Sequence, residues 1–366
     1  MRRITSLTLR DIRSYESFDA ELTGRSVVIT GPNGAGKTNI LETLTLFGAG
    51  RGLRGAKLSD VVRQGAGGAP GAAMTLRDDG EDPLRLIVSI PPPRHDRREV
   101  KIDGEVTRSA SALTRIIRFL WLVPVMDRLF MDAPAERRKF LDRIAAAGSS
   151  EHVLIAGRYE KAMRQRMAGL EQGADPALLE IFERDMVDAG IALALARRAT
   201  ATSLAEGYEQ LRQDAFPRAT LHIEGDVELL LAEHGEAQAR AGFADRLARN
   251  RRIDRDAKRT LVGPHRSDLI VTHEEKAMPA RQCSTGEQKA LLIGLVLARA
   301  SAARDADGAA LVLLLDEIVA HLDEHRRKAL AATLETLGLQ AFLTGTDPEP
   351  FAPFLEAMDH LRPAEH

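Results

Sequence analysis

Cysteine and large aromatics are scarce: one Cys, one Trp and three Tyr in 366 residues, with aromatic content of 4%. A lone Cys283 excludes a disulfide framework and any cysteine-rich zinc site. The ten histidines fall into no metal-ligand spacing. Long apolar runs are also missing; those around Ala290–Ala298 and Ala309–Leu315 are too short to span a bilayer. The opening MRRITSLTLR is basic but lacks the apolar stretch of a signal peptide. A net charge of −2 sets up no global field, so any attraction to nucleic acid must be local. Together these features predict a cytoplasmic protein without a membrane partner.

What is present is an ordinary globular composition, 44% hydrophobic and 28% charged, in a chain long enough for a catalytic domain plus an accessory one. Residues 1–30 alternate like strands through Ile4, Leu7, Leu9 and Val27–Ile29, and Asn39–Phe47 reads as a helix. Between 72 and 123 short strands are expected at Leu84–Ile90, Val100–Ile102 and Phe119–Val123, with a Pro91–Pro93 corner and an Asp103-Gly104 hairpin signal. From about Ala135 strand signals vanish and two long helical stretches follow, roughly 151–172 and 177–214, parted by Gly173–Pro176. Leu178, Phe182, Met186, Leu193 and Leu195 repeat at helical spacing in the second. After Asp254 the mixed pattern returns. The expected plan is an α/β domain in two parts, 1–134 and 255–366, interrupted by a helical arm at 135–254.

Gly31, Pro32, Asn33, Gly34, Ala35, Gly36, Lys37 and Thr38 follow the strand Val27–Ile29 and open a helix, matching G-x-x-x-x-G-K-[ST]. Glycines let the loop turn its backbone N–H groups inward, and the helix N-terminus adds positive potential. Lys37 then reaches the β- and γ-phosphates of ATP, and the Thr38 hydroxyl ligates Mg²⁺. A second signal is AALVLLLDE, Ala309–Glu317, a continuous apolar run of the kind buried on both faces of a parallel sheet. Its end lies where open α/β sheets bind ligands, so Asp316 suits Mg²⁺ and Glu317 suits polarising the attacking water.

The third signal is CSTGEQKALLIGLVLARA, Cys283–Ala300. Ser284 and Glu287 form a capping box for the helix. Capping leaves Gly286 and Gln288 without a purpose, and one phosphate loop already supplies the donors an ATP needs. A second anion-binding helix terminus makes sense if Ser284, Gly286 and Gln288 cover the γ-phosphate held by another copy of the chain.

These residues resemble the signature motif of ABC-type ATPases, and Ala320–Asp323 is similar to their D-loop, with Asp323 at the dimer interface. Gln64 stands where a Q-loop glutamine would. The chain as a whole resembles the RecF family of bacterial recombination mediators. The supporting stretches are LTLRDIRSY (7–15), GPNGAGKTNILE (31–42), GRGLRGAKLSDVVRQG (50–65), ERRKFLDR (136–143), LVGPHRSDL (261–269), STGEQKALL (284–292) and LLLDEIVAHLDEHRR (313–327). The resemblance implies an ABC-type ATPase head of mixed sheet and helices with an inserted helical arm. It further implies an ATP-dependent homodimer on DNA, weak DNA-stimulated hydrolysis acting as a switch, and action with RecO and RecR in recombinase loading, repair and SOS induction. Three positions depart from the family pattern: Cys283 replaces a usual Leu, Ser267 a usual Asp, and no switch histidine follows Gln340–Leu343, where Thr344-Gly345-Thr346-Asp347 stands. A transporter-type ATPase would need that histidine. An SMC-like DNA clamp stays open, opposed only by the short arm.

For DNA, basic residues gather at Arg51, Arg54, Lys57 and Arg63; at Arg137, Arg138, Lys139 and Arg143; and in RLARNRRIDRDAKR, which includes Arg251, Arg252 and Arg255. No aromatic ring interleaves with these runs, so backbone contacts to duplex or a duplex–single-strand junction fit better than base stacking.

Overall fold

The computed structural model describes residues 1–48, 50, 52–66, 68–92, 95–107, 110–211, 214–303 and 308–363. Arg51 and Pro93 lie outside them. The chain opens with β1 (Arg3–Ile12), β2 (Tyr15–Glu21), β3 (Val27–Thr30), α1 (Lys37–Thr45), α2 (Leu58–Val61), β4 (Gly71–Arg77), β5 (Leu84–Ser89), β6 (Glu99–Ile102), β7 (Glu105–Thr107) and β8 (Ile117–Leu122). There follow α3 (Pro134–Gly148), α4 (Ser150–Gln172), α5 (Pro176–Leu211), β9 (Ala219–Glu224), α6 (Asp226–Arg249) and α7 (Arg251–Ala257). The last third holds β10 (Asp268–His273), β11 (Met278–Pro279), α8 (Thr285–Ala302), β12 (Ala310–Leu315), α9 (Glu324–Leu337), β13 (Gln340–Gly345), α10 (Ala352–Leu355) and β14 (Asp359–Leu361).

These elements pack into two compact units. The first comprises Met1–Met126, Leu211–Phe216 and Ala300–His366. It contains an antiparallel sheet in the order β2-β1-β4-β5-β6-β7 and a parallel sheet in the order β14-β3-β13-β12-β8. Every residue of β3, β8, β12 and β13 is buried, as in strands covered on both faces; β12 is apolar throughout, while Thr30, Arg118, Gln340 and Thr344 are the buried polar residues of the other three. Asp103 and Gly104 both have positive φ and join β6 to β7 as a two-residue hairpin, the geometry that matches strand twist.

The second unit comprises Asp127–Gln210 and Pro217–Arg299. Its helices α4 and α5 run 23 and 36 residues, about 35 and 54 Å at 1.5 Å per residue. Their inner faces build a core with Tyr159, Met186, Ile191, Phe243 and Leu247; Leu178, at the start of α5, is exposed instead. The fully buried Arg166 binds Glu183 at 3.0 Å and Asp254 at 2.6 Å and donates to the Leu247 carbonyl, tying α4, α5, α6 and α7 together. A buried cation with this many partners is satisfied, whereas removing one partner would strand a charge.

Two expectations are redrawn by the packing. The helical segment 135–254 contains β9, which pairs antiparallel with β10 over six residue pairs. Its short, half-exposed ATLHIE pattern becomes a strand only because β10, distant in sequence, supplies the ladder. The division at 134 and 255 also differs, since residues 127–134 and 255–299 pack with the long helices rather than with the phosphate loop. The reason is close contact with α8: a Cβ on Gly207 would lie 2.0 Å from the Ala298 carbonyl, and one on Gly148 only 0.9 Å from the Arg299 guanidinium. Among the described residues no helix is long and apolar enough to cross a membrane.

Candidate nucleotide site

The phosphate loop leaves β3 and enters α1 through Gly36, whose backbone is left-handed at φ 89°. Pro32, Asn33 and Gly34 are exposed at its tip, while Gly36 and Lys37 are buried at its base. Tyr15 lies against the loop and donates to the Ala35 carbonyl at 3.2 Å; burial pushes its hydroxyl up to about 12. A Cβ on Gly36 would sit 2.4 Å from the Tyr15 oxygen, so the ring closes the position to any other residue. The buried Lys37 ammonium donates to the Gly31 and Pro32 carbonyls at 2.7 and 3.0 Å. No carboxylate pairs with it among the described residues, which leaves its charge available to a phosphate.

Asp316 and Glu317 follow β12 directly, two strands from β3 with β13 between. Thr38 Oγ1 donates to both Asp316 carboxylate oxygens, at 3.0 and 3.1 Å. This hydroxyl and carboxylate are hard oxygen donors of the kind Mg²⁺ takes. No group of three or more His, Cys, Asp or Glu side chains forms a metal cage among the described residues. The pair therefore suits an ion that brings phosphate and water ligands of its own. Burial pushes the Asp316 carboxyl above its ordinary value, against the bonds from Thr344 and Thr38. Glu317 is half-buried and adopts a left-handed backbone at φ 54°, rare for a non-glycine residue.

In the second unit Ser284 and Glu287 complete the expected capping box. The Ser284 backbone N–H and Oγ reach Glu287 Oε2 at 2.8 and 2.9 Å, and the Glu287 N–H returns to Ser284 Oγ at 3.4 Å. The bonds from Lys276 and Ser284 hold the Glu287 carboxyl down at about 2. Gly286 is exposed, and a Cβ there would meet nothing within 4 Å. Among the described residues nothing explains a glycine at this helix start. Gln288 differs from its expected part: its side chain is buried and donates to the Cys283 carbonyl at 2.9 Å, turned inward. Cys283 fills the usual Leu position as a small buried apolar group, and burial raises its thiol pKa.

Other expected residues are placed less centrally. Gln64 is exposed on the turn after α2, and among the described residues it bonds neither the phosphate loop nor Asp316. Asp323 is the N-cap of α9, accepting from the Arg326 N–H at 2.8 Å. Asp347 lies on an exposed turn with Thr346 donating to it at 3.0 Å, and it makes no bond to Glu317. Ser267 is fully buried and donates to Glu228 at 2.7 Å, a bond an Asp in its place would turn into repulsion.

The basic clusters divide sharply. Arg137 is bidentate on Asp268 at 2.7 and 2.6 Å, and Arg138 donates to the Ser267 carbonyl at 2.5 Å. Arg251 is bound to Glu183 at 2.6 Å. Charge runs that look alike in sequence are thus half-buried and bound within the unit itself at these three positions. Arg54 likewise joins Arg13 on the buried Glu42, and Arg63 binds Asp11. Lys139 is exposed and pairs with Glu136, while Arg252, Arg255, Lys258 and Arg259 are all exposed on or just after α7. Tyr15, Glu42 and Thr344 are the site neighbours that sequence reasoning missed. Their spacing carries no signal.

A parallel sheet carrying a phosphate loop and an acidic pair, with a separately packed unit presenting a glycine-bearing capped helix, defines an ATPase head of the ABC type. The family model described as the RecF/RecN/SMC N terminal domain matches residues 3–360. The DNA replication and repair protein RecF of Mesorhizobium japonicum is 44% identical over 354 residues, covering 95% of this chain and 93% of that protein. That of Allorhizobium ampelinum is 45% identical over 354 residues, covering 95% and 94%. A solved structure of the recombination mediator protein RecF with ATP, in the RecFOR pathway, shares the fold at a TM-score of 0.82. It is 21% identical and covers 94% of this chain and 92% of that one. The chain belongs to the RecF family.

Proposed function

We propose that this chain is an ATP-switched recombination mediator that binds DNA as a dimer. The observation that carries the reading is the convergence of Lys37, Thr38 and Asp316 at the carboxyl ends of neighbouring parallel strands. In this reading the loop N–H groups and Lys37 hold the triphosphate of ATP. Thr38 and Asp316 hold Mg²⁺, which when bound neutralises charge on the β- and γ-phosphates. Glu317 orients the water for slow hydrolysis. Ser284 and the Gly286 backbone cover the γ-phosphate of a second copy's nucleotide, which accounts for a glycine with open space around it. Asp323 lies at the same interface, and Gln64 is an outer member of the set. Arg252, Arg255 and the exposed Lys139 contact DNA phosphates, on a duplex or a duplex–single-strand junction. The relatives' names and the RecFOR pathway of the solved structure support action with RecO and RecR in DNA repair; loading of recombinase at single-strand gaps and a role in SOS induction are what the family resemblance implies.

Light scattering with and without ATP and duplex DNA tests the switch. The wild-type chain should double its mass only with ATP. Lys37→Ala should lose tight ATP binding, and Ser284→Arg should bind ATP yet stay monomeric and inactive. Mixing the two variants restores one intact composite site and should recover some hydrolysis. Normal ATP-dependent dimerisation of Ser284→Arg would reduce that cluster to a helix cap.

A further inference from the structure

Thr344 closes β13, the strand that separates the phosphate-loop strand β3 from the acidic strand β12. Ala341, Phe342 and Leu343 before it are buried and apolar, and Thr344 itself is fully buried. A hydroxyl in such a place costs free energy unless it is bonded, and a Val would fill the same volume without one. Here both capacities of the hydroxyl are used. Thr344 Oγ1 donates its proton to Asp316 Oδ1 at 2.6 Å and accepts from the Glu317 N–H at 3.0 Å. Both directions are forced, because an amide only donates and a carboxylate accepts.

We propose that Thr344 is a positioning residue for ATP hydrolysis, fixing the Asp316 carboxylate and the Glu317 backbone through one hydroxyl. The geometry explains why one group serves both. Glu317 turns left-handed straight after the strand, a conformation L-residues leave readily, and its N–H is held there by Thr344. Asp316 receives Thr38 from the phosphate-loop helix on the same Oδ1 that receives Thr344. The next residue along, Gly345, accepts from the Gly31 N–H at 3.3 Å, so the end of β13 is bonded to both halves of the site. Without the hydroxyl, Asp316 keeps Thr38, whereas the turn at Glu317 loses its side-chain anchor. The effect therefore falls on the chemical step more than on binding.

The inference rests on the reading of Glu317 given above, and the test separates the two. Steady-state ATP hydrolysis and equilibrium ATP affinity are measured for wild type, Thr344→Val, Thr344→Ser and Glu317→Gln, with thermal melts to check folding. Thr344→Val should lower kcat by about 10–100-fold, the scale of a misplacement of about 1 Å, with KM for ATP changed less than about 3-fold. Thr344→Ser should return kcat to within about 3-fold of wild type. If Val fails to fold, Ser against Ala repeats the comparison, with only Ser keeping activity. Wild-type turnover in Thr344→Val beside a slow Glu317→Gln overturns the role of Thr344 alone, as does a Ser variant as slow as Val. Wild-type turnover in Glu317→Gln overturns the reading of Glu317 and this inference with it.

Discussion

Gly36→Ala places one methyl group in the tightest part of the phosphate loop. The new Cβ would stand 2.4 Å from the Tyr15 oxygen, 2.7 Å from Cζ and 2.9 Å from Cε2, all closer than real side chains approach. Tyr15 is buried and bonded to the Ala35 carbonyl, so its ring cannot swing aside without breaking that bond. The backbone adds a second cost, because φ 89° is left-handed and costs an L-residue about 1–2 kcal/mol. Forcing a methyl into a packed site adds about 1–3 kcal/mol. The sum, about 2–5 kcal/mol, is relieved if the loop moves away from Tyr15, which disperses the inward-facing N–H groups. ATP affinity should then fall at least about 30-fold, 1.4 kcal/mol being tenfold. Isothermal calorimetry with ATP and a denaturant melt measure both effects. Tyr15→Ala combined with Gly36→Ala should recover part of the stability, since the clash goes and only the backbone strain stays. A single Gly36→Ala variant that binds ATP within 2-fold of wild type and unfolds at the same midpoint would refute the packing argument.

Gly286→Ala should have the opposite signature: no loss of stability, because a Cβ there meets nothing, with weakened ATP-dependent dimerisation by light scattering. Replacing Arg252, Arg255, Lys258 and Arg259 with Ala should weaken DNA binding about equally for all sequences. The log–log salt slope should become shallower by roughly one unit for each DNA phosphate no longer neutralised, while Arg137→Ala and Arg251→Ala should instead lower the melting temperature. For Asp142, burial raises the carboxyl, but the bonds from His152 and Arg197 outweigh it and hold the group down at about 2. A depressed carboxylate stabilises the fold above its unfolded value near 3.8, and that stability is lost as pH falls from there towards about 2. Asp142→Asn should flatten the stability profile across that window, as followed by denaturant titration; an unchanged slope would remove Asp142 from the acid response.

The sequence by itself determined the parts whose physics is local. The phosphate loop was readable because glycines, a lysine and a hydroxyl must sit at fixed spacing on one turn, and β12 because a strand covered on both faces must be apolar throughout. The capping box at Ser284 and the Asp103-Gly104 hairpin are likewise set by neighbours within three residues. Tertiary structure alone decided where long-range partners sit. Arg137, Arg138 and Arg251 look like Arg252 and Arg255 in sequence, and only the positions of Asp268, Ser267 and Glu183 tie them, half-buried, to partners within their own unit. β9 needed β10, 44 or more positions on in the chain, to become a strand. Tyr15 against Gly36 and Thr344 between Asp316 and Glu317 depend on strand order, which joins residues from 21 to 28 positions apart, and no periodicity encodes such a pairing.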